Sequence, residues 1–205
     1  MPYNHEEINV ERLFRLLESI STFIGTKINI YALGGTALTI LSIKKSTLDI
    51  DINIDTKKEY LYLQKIFEEV GFEKRGIYRW ITQEGLAFDI FHGSNILGTE
   101  LLSDCLEKST FIKSFGNIDL YTLSLEDIII SKLARGDSRD FEDIKSILDH
   151  KAIDLKGLIS RYKETMKIST VAHHKQKLLD LIEIKFKEWK LKIDPNTINE
   201  VRAWD

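Results

Sequence analysis

Apolar side chains recur at Ile8, Val10, Leu13, Leu16, Leu17, Ile20 and Phe23, the three-to-four spacing that predicts an amphipathic helix over residues 6–24. "KINIYALGG" then reads as a mostly apolar strand ended by glycines, and "TALTILSI" resumes as a short helix. "LDIDINI" alternates apolar and polar with period two, which predicts a strand with Leu48, Ile50, Ile52 and Ile54 facing a core. Residues 57–70 read as a helix that stops at Gly71. Two strands, "EKRGIYRWIT" and "GLAFDIFHG", flank a turn signal at Gln83-Glu84-Gly85. Residues 94–115 carry no decisive period, and "NIDLYTL" reads as one more strand.

From Ser124 the period becomes helical. Ser124 stands in N-cap position for "SLEDIIISKLARG", with Asp127 in the capping-box place and Gly136 as the stop. "DSRDFEDIKSILDH" predicts a second helix, and residues 154–166 and 171–192 two more. The expected class is α+β: a mixed sheet flanked by helices over residues 1–121 and a helical C-terminal subdomain over 122–205. Neither an internal repeat nor a linker interrupts it.

Composition narrows the options. A chain of 205 residues with 43% hydrophobic and 30% charged side chains is that of a globular protein with a real core. The net charge of −3 gives no general attraction to nucleic acid, so any polyanion site must be local. A single cysteine, Cys105, excludes an internal disulfide and a cysteine-built zinc site; it reads as a small buried hydrophobe in a reducing, cytoplasmic setting. "MPYNHEEINVERLFRLL" lacks a signal-peptide pattern, and the apolar runs are too short to span a membrane.

The candidate chemistry starts at Asp49 and Asp51, two carboxylates about 7 Å apart on one face of a strand. Such a pair repels unless a cation offsets it, and hard divalent cations take carboxylate oxygens. The next positions on that face are Asn53, uncharged, and Asp55. Gly34-Gly35-Thr36 sits at a strand-to-helix turn, where glycine lets a ligand approach the backbone and the helix start offers N–H groups to phosphate. Asp89 is a lone acid among Leu86, Ala87, Phe88, Ile90 and Phe91, expensive unless solvated or paired with a cation.

Taken together, Leu33-Gly34-Gly35, Asp49-Ile50-Asp51 and Asp89 resemble the pattern of the nucleotidyltransferase superfamily with the polymerase-β-like fold. Within it, "KSTLDIDI" looks like the R-x-T-x-D-h-D element of the AbiEii-type, toxin-like branch, with Lys45 where arginine is usual and Thr47 matching. "SKLARGDSRDFEDI" resembles that branch's helical motif, filled by Lys132, Arg139, Asp140 and Asp143. The resemblance covers residues 28 to 148. It implies Mg²⁺ (or Mn²⁺) held by Asp49, Asp51 and Asp89, with an NTP as substrate. Gly34, Gly35 and Thr36 would hold its phosphates, Lys132 and Lys45 would neutralise charge, and Asp140 would belong to the same binding set. Asp89 would also help remove the proton of the attacking hydroxyl. The acceptor stays open among RNA or tRNA, a protein and a small molecule. Two other readings stand beside this one: a nucleotide-binding or regulatory module without turnover, and a toxin acting on tRNA with a separate antitoxin partner.

Other features have plainer readings. Lys132 and Asp140 bracket a turn and could pair with each other. His92 reads as a polar strand-end residue, and His173-His174 as surface. Lys175, Lys177, Lys185, Lys187, Lys190 and Lys192 read as a solvated face over a stripe of Leu178, Ile182, Phe186 and Trp189, with a phosphate-backbone track for RNA as the rival. Trp189 and Trp204 read as packing residues.

Overall fold

In a computed structural model, which describes residues 7–204, the chain divides into two compact units. The first runs up to Leu97 and includes Ser103–Ser124; the second comprises Gly98–Leu102 and the chain from Leu125. Part of the predicted first helix and of the N-terminal leader reading, residues 1–6, lies outside the described residues.

The first unit is built on a mixed seven-stranded sheet. Its strands are β1 (Ile28–Ala32), β2 (Asp49–Ile54), β3 (Glu73–Lys74), β4 (Arg79–Ile81), β5 (Ala87–His92), β8 (Thr110–Phe115) and β9 (Ile118–Thr122). They lie in the order β3-β4-β5-β2-β1-β9-β8, and the two-residue strands β6 (Asn95–Ile96) and β7 (Thr99–Glu100) are not part of this sheet. The pairs β2–β5 and β1–β9 are parallel, whereas β1–β2, β4–β5 and β8–β9 are antiparallel. One face is apolar: Ile50, Ile52 and Ile54 of β2 are buried beside Ile30, Phe88, Ile90 and Trp80. Leu48, expected to join them, is 45% exposed, because β2 begins one residue later at Asp49.

Helices α1 (Val10–Ser21), α2 (Gly34–Ile40) and α3 (Lys57–Glu69) belong to this unit. Asn9 caps α1 by accepting the Arg12 N–H at 2.9 Å, and Leu13, Leu17 and Ile20 form its buried stripe. Thr56 caps α3 by accepting the Glu59 N–H at 3.2 Å. Phe67 of α3 meets Phe88 and Trp80 of the apolar face edge-on, with ring centroids 5.2 and 5.8 Å away. The segment read as one strand over 73–82 is a hairpin instead, β3 and β4 folding back around Gly76, whose φ of +137° suits glycine. Cys105 is buried, as its hydrophobic reading requires.

The second unit is helical: α4 (Leu125–Arg135), α5 (Ser138–His150), α6 (Leu155–Ile168), α7 (His174–Leu179), a π-helical stretch Asp180–Lys185 continuing into α8 (Phe186–Glu188), and α9 (Pro195–Arg202). Leu178, Ile182 and Phe186 are buried as the apolar stripe predicts, while Trp189 is half-buried. Asp127, placed by sequence in a capping box, is fully buried and takes both ends of the Arg161 guanidinium at 2.8 Å, which joins α4 to α6. The sequence reading stopped its helices at 192 and missed α9. Its signals were Asp194 as N-cap, accepting the Asn196 N–H at 3.0 Å, and Pro195 in the first turn. His174 is half-buried rather than surface, its ring 5.1 Å from that of Trp204. Among the described residues no helix is long and apolar enough to cross a membrane.

Candidate active site

The polar face of the sheet gathers the three predicted acids. Strand alternation turns Asp49 and Asp51 away from the buried isoleucines. Parallel pairing of β2 with β5 sets Asp51 directly beside Asp89, and Asp49 beside Ala87. Each of the three carboxylates offers an oxygen, and those oxygens lie within 4.8 Å of one another. All three residues are half-buried, open enough to be reached and dry enough for their repulsion to count.

Part of that repulsion is relieved by Arg79, which sequence reasoning did not single out. Antiparallel pairing of β4 with β5 places it opposite Asp89. Its Nε donates to Asp89 Oδ1 at 2.8 Å and its Nη2 to Asp89 Oδ2 at 2.5 Å, a bidentate fork. The same Nη2 reaches Asp49 Oδ2 at 3.3 Å. A signal for it was present: Arg79 and Asp89 lie five residues either side of Glu84, the centre of the predicted turn. The hairpin closes there, Gly85 N–H donating to the Thr82 carbonyl at 2.9 Å.

The glycine turn serves the same cluster. Gly34 has φ of +47°, and a Cβ there would stand 3.2 Å from Asp51 Oδ2. A Cβ on Gly35 would stand 2.8 Å from Thr47 Oγ1, closer than any side chain tolerates. Side chains at either position would crowd the acids or the threonine beside them. Thr36, fully buried, holds the strand: its hydroxyl donates to the Asp49 carbonyl at 3.2 Å and accepts the Asp51 N–H at 2.9 Å. Thr47 Oγ1 donates to the same carbonyl at 3.0 Å. Thus both backbone groups flanking Ile50 are fixed by threonine hydroxyls, which sets the direction of the two aspartates. Asn53 continues this face but is buried, donating to the Gly93 carbonyl at 3.0 Å. Lys45 is exposed.

Lys132 and Asp140 belong to the second unit. Lys132, 2% exposed, donates to Asp143 Oδ2 at 2.6 Å and Asp140 Oδ1 at 3.4 Å. Asp140 also accepts Arg135 Nη2 at 2.5 Å, Arg135 Nε at 2.8 Å and the Asp137 N–H at 3.2 Å, completing the capping box of α5. Burial pushes the Asp140 carboxyl up, but the Arg135 hydrogen bonds and the charges of Lys132 and Arg135 outweigh it and hold the carboxyl below its usual value. Arg139 is exposed on α5.

The donor set at Asp49, Asp51 and Asp89 fits a hard divalent cation: oxygen ligands only, from two adjacent strands, converging where a guanidinium already stands in as the positive charge.

A family model described as "Nucleotidyltransferase of unknown function (DUF6036)" matches residues 11–193. No curated protein matches the sequence. Among solved structures, ANT(2")-Ia in complex with adenylyl-2"-tobramycin aligns with a TM-score of 0.51 at 12% identity, over 76% of this chain and 96% of that one. TM1012 of Thermotoga maritima, described as a candidate nucleotidyltransferase, aligns with a TM-score of 0.46 at 19% identity, over 72% of this chain and 99% of that one.

Proposed function

Since the chain belongs to this nucleotidyltransferase family, we propose that it moves a nucleoside monophosphate from an NTP to a hydroxyl acceptor in a divalent-metal-dependent reaction. The observation that carries this reading is the convergence of Asp49, Asp51 and Asp89 within 4.8 Å on one sheet face. Support also comes from the fold, shared with a protein solved with an adenylylated aminoglycoside.

The three aspartates would hold Mg²⁺ or Mn²⁺, which supplies Lewis-acid charge for the phosphate oxygens and lowers the pKa of the attacking hydroxyl. The chain's own part is positioning. Gly34, without a side chain, leaves room beside Asp51 for the β- and γ-phosphates, and Gly35 leaves room for the Thr47 hydroxyl beside it. Thr36 and Thr47 keep Asp49 and Asp51 aimed at the same point. Asp89, on the neighbouring strand, draws the proton from the acceptor hydroxyl. The hydroxyl oxygen then attacks the α-phosphorus in line, and pyrophosphate leaves. Lys45, exposed in the segment before β2, would meet the polyphosphate as a point charge.

The test incubates the protein with each α-labelled NTP, Mg²⁺ and a cell extract. Label should enter an RNA, protein or small-molecule fraction with pyrophosphate released, and should not do so with Asp49→Ala/Asp51→Ala. Nucleotide binding without pyrophosphate release under every condition would instead identify a binding module.

A further inference from the structure

Arg79 is the feature of the cluster that a metal site does not need. Its fork takes both oxygens of Asp89, and its Nη2 reaches a third carboxylate oxygen on Asp49. An ion ligated by Asp89 requires an oxygen that the guanidinium already holds, an ion on Asp49 Oδ2 meets the same guanidinium, and two cations cannot share those oxygens at such distances without strong repulsion. We propose that Arg79 is an internal counter-cation which a divalent ion must displace, a positioning residue that keeps Asp89 and Asp49 from taking metal until nucleotide phosphates give the guanidinium somewhere to go. This rests on the metal-site reading above and adds a condition to it.

Three observations support a displaceable guanidinium rather than a fixed brace. The Arg79 side chain is 39% exposed, so it can leave the carboxylates without burying its charge. Asp89, by contrast, is 15% exposed, and losing its partner unfavourably strands a carboxylate unless another cation arrives. Arg79 also sits on a three-residue strand just after Ile77 and Tyr78, 74% and 47% exposed, which leaves solvent on the approach. The destination follows from chemistry: a planar fork that fits a carboxylate fits two phosphate oxygens equally well, and a polyphosphate brought beside Asp51 supplies them. Metal entry and nucleotide entry become coupled through one side chain.

Calorimetric titration with Mn²⁺ alone tests this on the wild type, Arg79→Ala, Arg79→Gln and Asp49→Ala/Asp51→Ala. Both Arg79 variants should bind Mn²⁺ roughly tenfold more tightly than the wild type. Their melting temperatures should also rise more on adding Mn²⁺. A non-hydrolysable NTP analogue should narrow the difference by drawing Arg79 away in the wild type. Arg79→Gln keeps bulk and a hydrogen-bond donor beside Asp89, so it carries the test if Arg79→Ala does not fold. Equal or weaker Mn²⁺ binding by the folded Arg79 variants, with binding intact in the wild type, overturns the role of Arg79 alone. Absence of Mn²⁺ binding in every folded variant overturns the metal-site reading together with it.

Discussion

Among the described residues, aspartates gather against basic side chains on the sheet face and in the helical unit, and the two groups differ in exposure. On the sheet face, one guanidinium bonds Asp89 and Asp49, Asp51 stands beside them, and all three acids are half-buried. In the helical unit, Asp140 and Asp143 face Lys132 and Arg135, and the Lys132–Asp140 centre is sealed from water. In the second group each buried carboxylate meets a cation, and the pairs join α4 to α5. The first brings three carboxylates together at a reachable spot. Similar residues thus make a brace in one place and, on the function proposed above, a cation site in the other.

The largest expected effect breaks the first group. Asp51→Ala or Asp49→Ala should lower NMP transfer by about three orders of magnitude, since metal-held charge stabilisation amounts to several kcal/mol. Yet the melting temperature should stay level or rise, because removing one of three like charges relieves repulsion. A variant that keeps its activity, or one that unfolds, would make the sheet cluster a brace as well.

The reciprocal change should do the reverse. Lys132→Met leaves Asp143 and Asp140 buried with one partner fewer, and denaturant unfolding should show a loss of about 3–5 kcal/mol. The double variant Lys132→Met/Asp143→Leu should recover much of it, as a neutral pair replaces a stranded charge. If Lys132→Met instead kept its stability and lost NTP binding, Lys132 would be a phosphate ligand, as the AbiEii-type resemblance implies.

Thr36→Val sharpens the contrast within the sheet unit. It strips the hydroxyl between the Asp49 carbonyl and the Asp51 N–H while keeping shape. Unfolding should cost about 1–3 kcal/mol less, the effect of orphaning buried backbone groups. Transfer rate should fall more than NTP affinity, because the aspartates lose their aim rather than their charge.

Much of the sheet site was legible because its signals are local. Period-two alternation put Asp49 and Asp51 on one face, and an acid in an apolar run marked Asp89. What period cannot give is strand pairing: Asp51 lies beside Asp89 only because β5 joins β2 in parallel, across thirty-seven intervening positions of chain. Arg79 was hidden among Lys74 and Arg75 for want of a hairpin register, although the turn at Glu84 encoded it. The helical group was harder. The turn between α4 and α5 places Lys132 near Asp140 and Asp143 but does not say whether that face is wet, and burial is what separates a brace from a solvated ion pair. Threonine hydroxyls at positions 36 and 47 were readable as motif letters, not as props for a neighbouring strand.

The smallest effect concerns acid. The folded-state carboxyl of Asp140 lies below its unfolded value of about 3.9, so its contribution to stability is fully present above that pH. It is lost as the pH falls through the folded value, where the unfolded chain already carries the proton and the folded one must take it. Melting temperature followed from about pH 6 down to about pH 3 should therefore drop in the wild type. In Asp140→Asn, which starts lower because Lys132 and Arg135 lose a charged partner, the drop over that range should be shallower. Because burial opposes ionisation while Arg135 and Lys132 favour it, the slope reads the margin by which the two cations prevail. Equal slopes would mean that this pairing contributes no pH dependence, and that the helical group is held by packing rather than by its charges.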